Sequence, residues 1–316
     1  MLFDAAVIGD WGSASVRLAV PLILAAIGGV YAERSGVFNI GIEGTMLIGA
    51  FTAVAVSYYL TSLDPVLASA LATLAAMIAG AATACVHAYL SITRRVDQII
   101  TGAAINILAL GLTNTLYRAV WGEVGRERVA GFPTVRIPIL ADIPVVGQTF
   151  FDHSVIVYAA FILPVVAAFV LFRTTWGLNI RAAGDYPSAA DTAGLSVDRI
   201  RYGAVLFSGV MAGLAGAALA LGAVRYFTPG MTAGRGFIVL GAIVFGRWNP
   251  MLAAVACLLF GAADAFQLRA QVLNLGIPYQ FFVMLPYLLA VLAVAGAIGR
   301  TTAPRHLGLP YRREAG

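Results

Sequence analysis

Residues 35–50 read Ser-Gly-Val-Phe-Asn-Ile-Gly-Ile-Glu-Gly-Thr-Met-Leu-Ile-Gly-Ala, placing Asn39 and Glu43 inside a glycine-punctuated apolar stretch between two hydrophobic runs. A charge at the centre of a bilayer costs roughly 2.5–3.5 kcal/mol on insertion scales, so an acid here needs a partner, water or a function. Gly36, Gly41, Gly44 and Gly49 let the chain break or pack closely. Non-helical backbone at membrane depth survives only where it is buried in protein or lines a cavity. The stretch reads as the wall of a pathway, not as a lipid anchor.

The surrounding composition excludes an ordinary soluble domain. Sixty per cent of the residues are hydrophobic and only 11% charged, with a mean hydropathy of +0.89, whereas soluble domains carry about 25% charged residues. Hydrophobic runs near the length of a bilayer span recur at roughly 16–32, 40–60, 65–90, 98–120, 153–172, 202–224, 236–247, 250–268 and 279–299. The expected fold is an all-α polytopic bundle of about nine segments in a single transmembrane domain, 1–316. The seventh run is too short for a full span. It is either a half-helix or extends N-terminally through Thr228–Gly234.

All twenty basic residues are arginine. A Walker A site needs its lysine on the phosphates, so ATP that drives this protein must bind on another chain. The arginines flank the hydrophobic runs and read as orientation signals rather than a nucleic-acid surface. Arg94 and Arg95, the 173–201 loop and the tail with Arg300, Arg305, Arg312 and Arg313 place those regions in the cytoplasm and the N-terminus outside. The 121–152 loop, with Pro133, Pro138 and Pro144, becomes an extended external segment in which Glu123, Glu127 and Asp142 partly offset Arg126, Arg128 and Arg136. Asp4 and Asp10 stand where a cleaved signal peptide would be basic. Cys85 and Cys257 read as packing residues, and His87, His153 and His306 form no metal or triad pattern, so no cofactor is expected.

Four stretches carry a family resemblance: ERSGVFNIGIEGTMLIGAF (33–51), SITRRVDQIITGAAINILALGLTN (91–114), GLNIRAAGDYPSAADTAGLSVDRIRY (177–202) and GRGFIVLGAIVFGRWNP (234–250). They are similar to permease subunits of bacterial ABC importers for nucleosides and related sugars, within the ribose and branched-chain amino-acid permease superfamily. The resemblance implies a type II-like permease in the bacterial inner membrane. Its partners would be a homologous second permease, a cytoplasmic ATP-binding subunit and an extracytoplasmic substrate-binding lipoprotein. Such permeases often have ten spans; against that pattern this chain is expected to lack the first, which agrees with the outside N-terminus expected from the arginines. Segments one to four and six to nine would then form inverted repeats.

Asn39 and Glu43 lie four apart and share a helix face, suited to lining a route for a hydroxyl-rich solute. The competing assignment is a structural acid satisfied by a neighbouring helix, for instance through Arg34. In segment four, Asn106 and Thr113 stand about 20° apart around a helix, close to Gly102, and fit either solute contact or interhelical hydrogen bonding. Gly209, Gly213 and Gly216 form a ridge for close helix packing. Asp264 is expected to be paired, with Arg269 near. In the 173–201 loop, Pro187 followed by Ser188–Thr192 and Gly194 predicts a short helix. The resemblance implies that this loop docks the ATPase, through a region including Arg181, Asp185, Ala189, Ala190 and Asp191. The rival to an ATP-driven importer is an ion-coupled secondary transporter using Glu43 and Asp264. An intramembrane enzyme finds no nucleophile–base pair or metal motif.

Overall fold

The computed structural model describes residues 5–122, 128–272, 279–285, 288, 291 and 303–312. Its long helices are α1 (Ala5–Arg34), α2 (Ile42–Tyr59), α3 (Pro65–Ala88) and α4 (Gln98–Trp121). A short segment follows, in which β1 (Thr134–Arg136) and β2 (Asp152–Ser154) pair antiparallel around α5 (Val146–Phe150). Then come α6 (Val155–Arg173), α7 (Thr175–Asp185), α8 (Pro187–Thr192), α9 (Val197–Ala217), α10 (Arg235–Phe245), α11 (Pro250–Val272) and α12 (Tyr279–Val283). Helices α1, α2, α3, α4, α6, α9 and α11 are each long and apolar enough to cross a bilayer. The first six expected segments and the eighth are therefore helices of spanning length. The ninth, 279–299, lies mostly outside the described residues, as do Glu123, Arg126 and Glu127.

Local chemistry explains the helix starts. Asp64 accepts from the amides of Val66 and Leu67 at 2.9 and 3.2 Å, with Pro65 in the first helical position. Asp97 does the same for Ile99 and Ile100 at 2.8 and 3.0 Å. Each carboxylate satisfies donors that a helix leaves open at its first turn.

Helices α1 and α9 are the buried axis of the bundle, while α3, α4, α6 and α11 turn large apolar side chains outward. The heaviest pairings are reciprocal: α3 lies along α9 and α1 lies along α11. Helix α2 packs on α9, and α10 packs on α1. The α3–α9 seam depends on glycine: a Cβ on Gly80 would stand 2.9 Å from the Cα of Gly213. Such small-residue seams replace the hydrophobic drive that helices lack in lipid. The Gly209–Gly216 ridge serves two neighbours, since Gly216 abuts α2, where its Cβ would stand 2.6 Å from the amide of Ala50.

Candidate functional site: two broken segments meeting inside the bundle

Between α1 and α2 the chain leaves helical geometry, with Gly36 at φ +93°. Buried backbone needs partners, and this stretch has them from four directions. The Ser35 carbonyl accepts from Arg201 Nε at 3.1 Å and the Gly36 carbonyl from the Gly308 amide at 3.1 Å. The Phe38 amide donates to Gln98 Oε1 at 2.6 Å, and its carbonyl lies 3.3 Å from His87 Nε2. Asn106 closes the segment like a staple: its Nδ2 donates to the Ile40 carbonyl at 3.1 Å and its Oδ1 accepts from the Gly44 amide at 2.8 Å. The side chain of Asn39, 2% exposed, donates to Ser208 Oγ at 3.3 Å, while its Oδ1 has no hydrogen-bond partner among the described residues. Thr113, two turns farther along α4 and buried, returns its hydroxyl to the Ala109 carbonyl of its own helix.

Glu43, in the first turn of α2, faces the second break. Its carboxylate accepts from the Gly234 amide at 2.8 Å through Oε1 and from the Gly236 amide at 2.6 Å through Oε2. It thereby caps α10, whose N-terminal amides carry the positive end of the helix dipole. Gly236 is required by proximity, since a Cβ there would lie 2.6 Å from the backbone of Glu43. The seventh hydrophobic run is thus a half-helix preceded by an irregular stretch. Its 11 residues rise about 16 Å, roughly half of a ~30 Å hydrocarbon core. Through Arg34, the end of α1 meets the turn that follows α10. Of the four expected pathway residues, Asn39, Glu43 and Asn106 gather at the breaks, and Thr113 stands apart from them.

Arg34 is not the partner of Glu43. Its Nε donates to the Trp248 carbonyl at 2.9 Å and its Nη2 to the Arg247 carbonyl at 3.1 Å. Those two residues form a left-handed turn, φ 55° and 53°, between α10 and α11. Beside it, Trp248 Nε1 donates to Glu33 Oε2 at 2.5 Å, and Glu33 is only 1% exposed. Sequence reasoning passed over Glu33. The available signal was an acid in the last turn of a buried apolar helix, matched by a tryptophan in the GRWNP turn. Asp264 is paired, but with Arg235 at 3.8 Å; Arg269 instead donates to the Val7 carbonyl at 3.1 Å.

The 173–201 loop folds as α7 and α8, with Gly194 at φ +87° ending the short helix. Ala189 faces outward, whereas Ala190 is 5% exposed and packs with Ala183 and Val197. Arg181 lies over the Phe172 ring at 5.4 Å. Asp185 Oδ1 accepts from the Arg305 amide at 3.3 Å, and Asp191 Oδ2 accepts from the Tyr311 hydroxyl at 3.0 Å. On the opposite face of the bundle, Arg136 pairs with Asp142. There the Val129 amide also donates to the Arg225 carbonyl at 2.9 Å.

Comparison with known proteins agrees with this architecture. Residues 13–295 match the family described as "Branched-chain amino acid transport system / permease component". The guanosine ABC transporter permease NupQ of Bacillus subtilis is 43% identical over 94% of this chain and 95% of its own length. The nucleoside ABC transporter permease NupC of Lactococcus lactis is 35% identical over 92% and 93%, respectively. The putative glucose ABC transporter permease TsgC13 of Haloferax volcanii is 39% identical over 84% and 79%. Bacillus subtilis and Lactococcus lactis each hold a second permease related to this chain, at 30% and 24% identity. No solved structure matches significantly. Broken helices that meet inside an all-α bundle, together with a family match over nearly the whole length, establish that the chain belongs to the ABC-type permeases of the branched-chain amino acid transport system family.

Proposed function

We propose that this chain is the membrane-spanning subunit of an ATP-driven importer in a bacterial inner membrane, carrying nucleosides, or simple sugars as the other solute class. The observation that carries this reading is the full-length similarity to permeases named for guanosine and nucleosides. It works with a homologous second permease, a cytoplasmic ATP-binding subunit and an extracytoplasmic lipoprotein receptor. The domain is a single unit, with 121–152 outside and 173–201 inside the cell. The paired permeases of the two bacteria named above support a heterodimeric permease.

Transport follows alternating access. The Glu43–α10 contact joins the first repeat to the second where the half-helix begins, and it breaks and reforms as the repeats rock. Asn39, Glu43, Asn106 and Thr113 contribute the polar wall of the solute route. Arg181, Asp185, Ala189, Ala190 and Asp191 belong to the joint through which the ATPase moves the bundle.

The test is uptake of labelled guanosine, uridine and glucose in proteoliposomes holding both permeases, the ATPase and the receptor. ATP-dependent accumulation of a nucleoside, competed by other nucleosides and not by glucose, supports the main solute class. Uptake that persists without the ATPase, driven by a proton or sodium gradient, overturns the importer reading.

A further inference from the structure

Residues 303–312, which follow the ninth hydrophobic run in sequence, pack back onto α7, α8 and α9. The His306 amide donates to the Gly184 carbonyl at 2.9 Å, and its Nδ1 lies 3.0 Å from the Asp185 carbonyl. The Arg305 guanidinium stands over the Tyr186 ring at 4.8 Å. The Tyr311 ring packs on the small core formed by Ala183, Ala190 and Val197, with its hydroxyl on Asp191. Arg201, 1% exposed, ties these pieces together. It donates to the carbonyls of Ser35 and Leu309 at 3.1 Å each and to that of Ala183 at 3.5 Å.

The tail also shapes the surface around α8. Two concavities, of about 230 and 340 Å³, flank this helix and share Asp191 and Tyr311 as a common wall. The first continues to Arg95 and Asp198, the second to Ser188 and Arg312. A six-residue helix is about 9 Å long. Alone it falls far short of the ~800 Å² that each partner contributes to a stable interface. A partner laid across α8 must therefore meet the adjoining walls, one of which is the tail. Those walls are polar and charged, which suits a soluble protein partner rather than lipid chains.

We propose that residues 303–312 form half of the docking socket for the ATP-hydrolysing subunit, with α8 as the other half. This rests on the importer reading above. The same residues carry motion inward, because Arg201 and the Gly308–Gly36 bond connect the tail to the segment that leads to Asn39 and Glu43.

The experiment uses the complete importer with three variants of the permease: a stop codon at position 303, Tyr311→Ala and Ala189→Pro. Membrane level and retention of the second permease report folding. Co-purification of the ATPase reports docking. The expected result is normal membrane level, with ATPase retention and uptake reduced on the order of tenfold in all three, a loss of about 1.4 kcal/mol. Retention lost in Ala189→Pro but unchanged in both tail variants overturns the tail proposal alone. Retention and uptake unchanged in all three overturn the coupling-loop reading as well. Should the truncation fail to fold, cross-linking decides the matter without removing the tail. In a background with Cys85→Ser and Cys257→Ala, both Ser188→Cys and Arg312→Cys should cross-link to the ATPase through a short bis-maleimide. Cross-linking from Ser188→Cys and not from Arg312→Cys overturns the proposal.

Discussion

Replacing Glu43 tests the joint between α2 and α10. The carboxylate accepts two amide donors, from Gly234 and Gly236, at the N-terminus of α10. A hydrogen bond to an ionised group contributes about 1.5–3 kcal/mol. The charge at a helix N-terminus adds about 0.3–1 kcal/mol. Glu43→Gln keeps the shape but turns an amide NH₂ toward one backbone donor, so it forfeits one bond and the dipole contribution, about 2–4 kcal/mol. Glu43→Ala loses both bonds and leaves two inward-facing donors open, about 3–6 kcal/mol. Insertion should not suffer, because the charge is what insertion disfavours. Hydrogen exchange of the amides at 237–241 reads the local opening directly. In Glu43→Gln it should accelerate on the order of a hundredfold, since each 1.4 kcal/mol is a factor of ten. Uptake should fall in both variants while the protein remains in the membrane. Unchanged α10 exchange with normal uptake in Glu43→Ala would refute the argument, because the two bonds would then contribute no free energy and the contact would not be a joint.

Trp248→Phe removes the donor to buried Glu33 and should lower stability by about 2–3 kcal/mol. Combining it with Glu33→Leu should recover part of the loss, and strictly additive losses in thermal melts would refute the pairing. Gly213→Ala places a Cβ 2.9 Å from the Ala76 carbonyl carbon and 3.1 Å from the Met77 Cα, and should destabilise the bundle by about 1–3 kcal/mol. Gly111→Ala, with nothing within 4 Å, should be neutral or gain up to about 1 kcal/mol; melting of the two variants side by side checks the seam. His153, outside the membrane spans, is held below its ordinary value by burial and secondarily by Arg17, against the opposing pull of the Thr149 carbonyl and Asp152. The unfolded chain then binds a proton that the folded chain refuses, so stability is lost as pH falls below about 6.5. Exchange protection at 149–154 should weaken between pH 7.5 and 5.5, and His153→Gln should flatten that dependence.

The membrane class, the spans up to α11 and the break at 35–41 were legible in the sequence because each rests on local composition. Apolar runs of spanning length need no tertiary information. A glycine-rich interruption with a carboxylate announces a buried irregular segment whatever covers it. The short helix after Pro187 was equally local. Partner identity was not. Glu43 and Arg34 are close in sequence, yet the carboxylate caps a helix that starts 192 positions later, where Gly234 and Gly236 bracket Arg235. Arg34 turns instead to the 247–248 carbonyls. Asn106, equally able to contact a solute or a neighbouring helix, became a backbone staple only when α4 was laid beside α2. Glu33 and Arg201 look like ordinary end-of-helix charges until the fold buries them. The tail read as a set of orientation charges, and the tertiary structure joined it to α7 and α8. Amphipathic pattern and glycine spacing tell which face of a helix is covered; which element covers it depends on the long-range pairing of α1 with α11 and α3 with α9. That pairing is set by interlocking shapes and backbone hydrogen bonds distant in sequence, and no local window contains it.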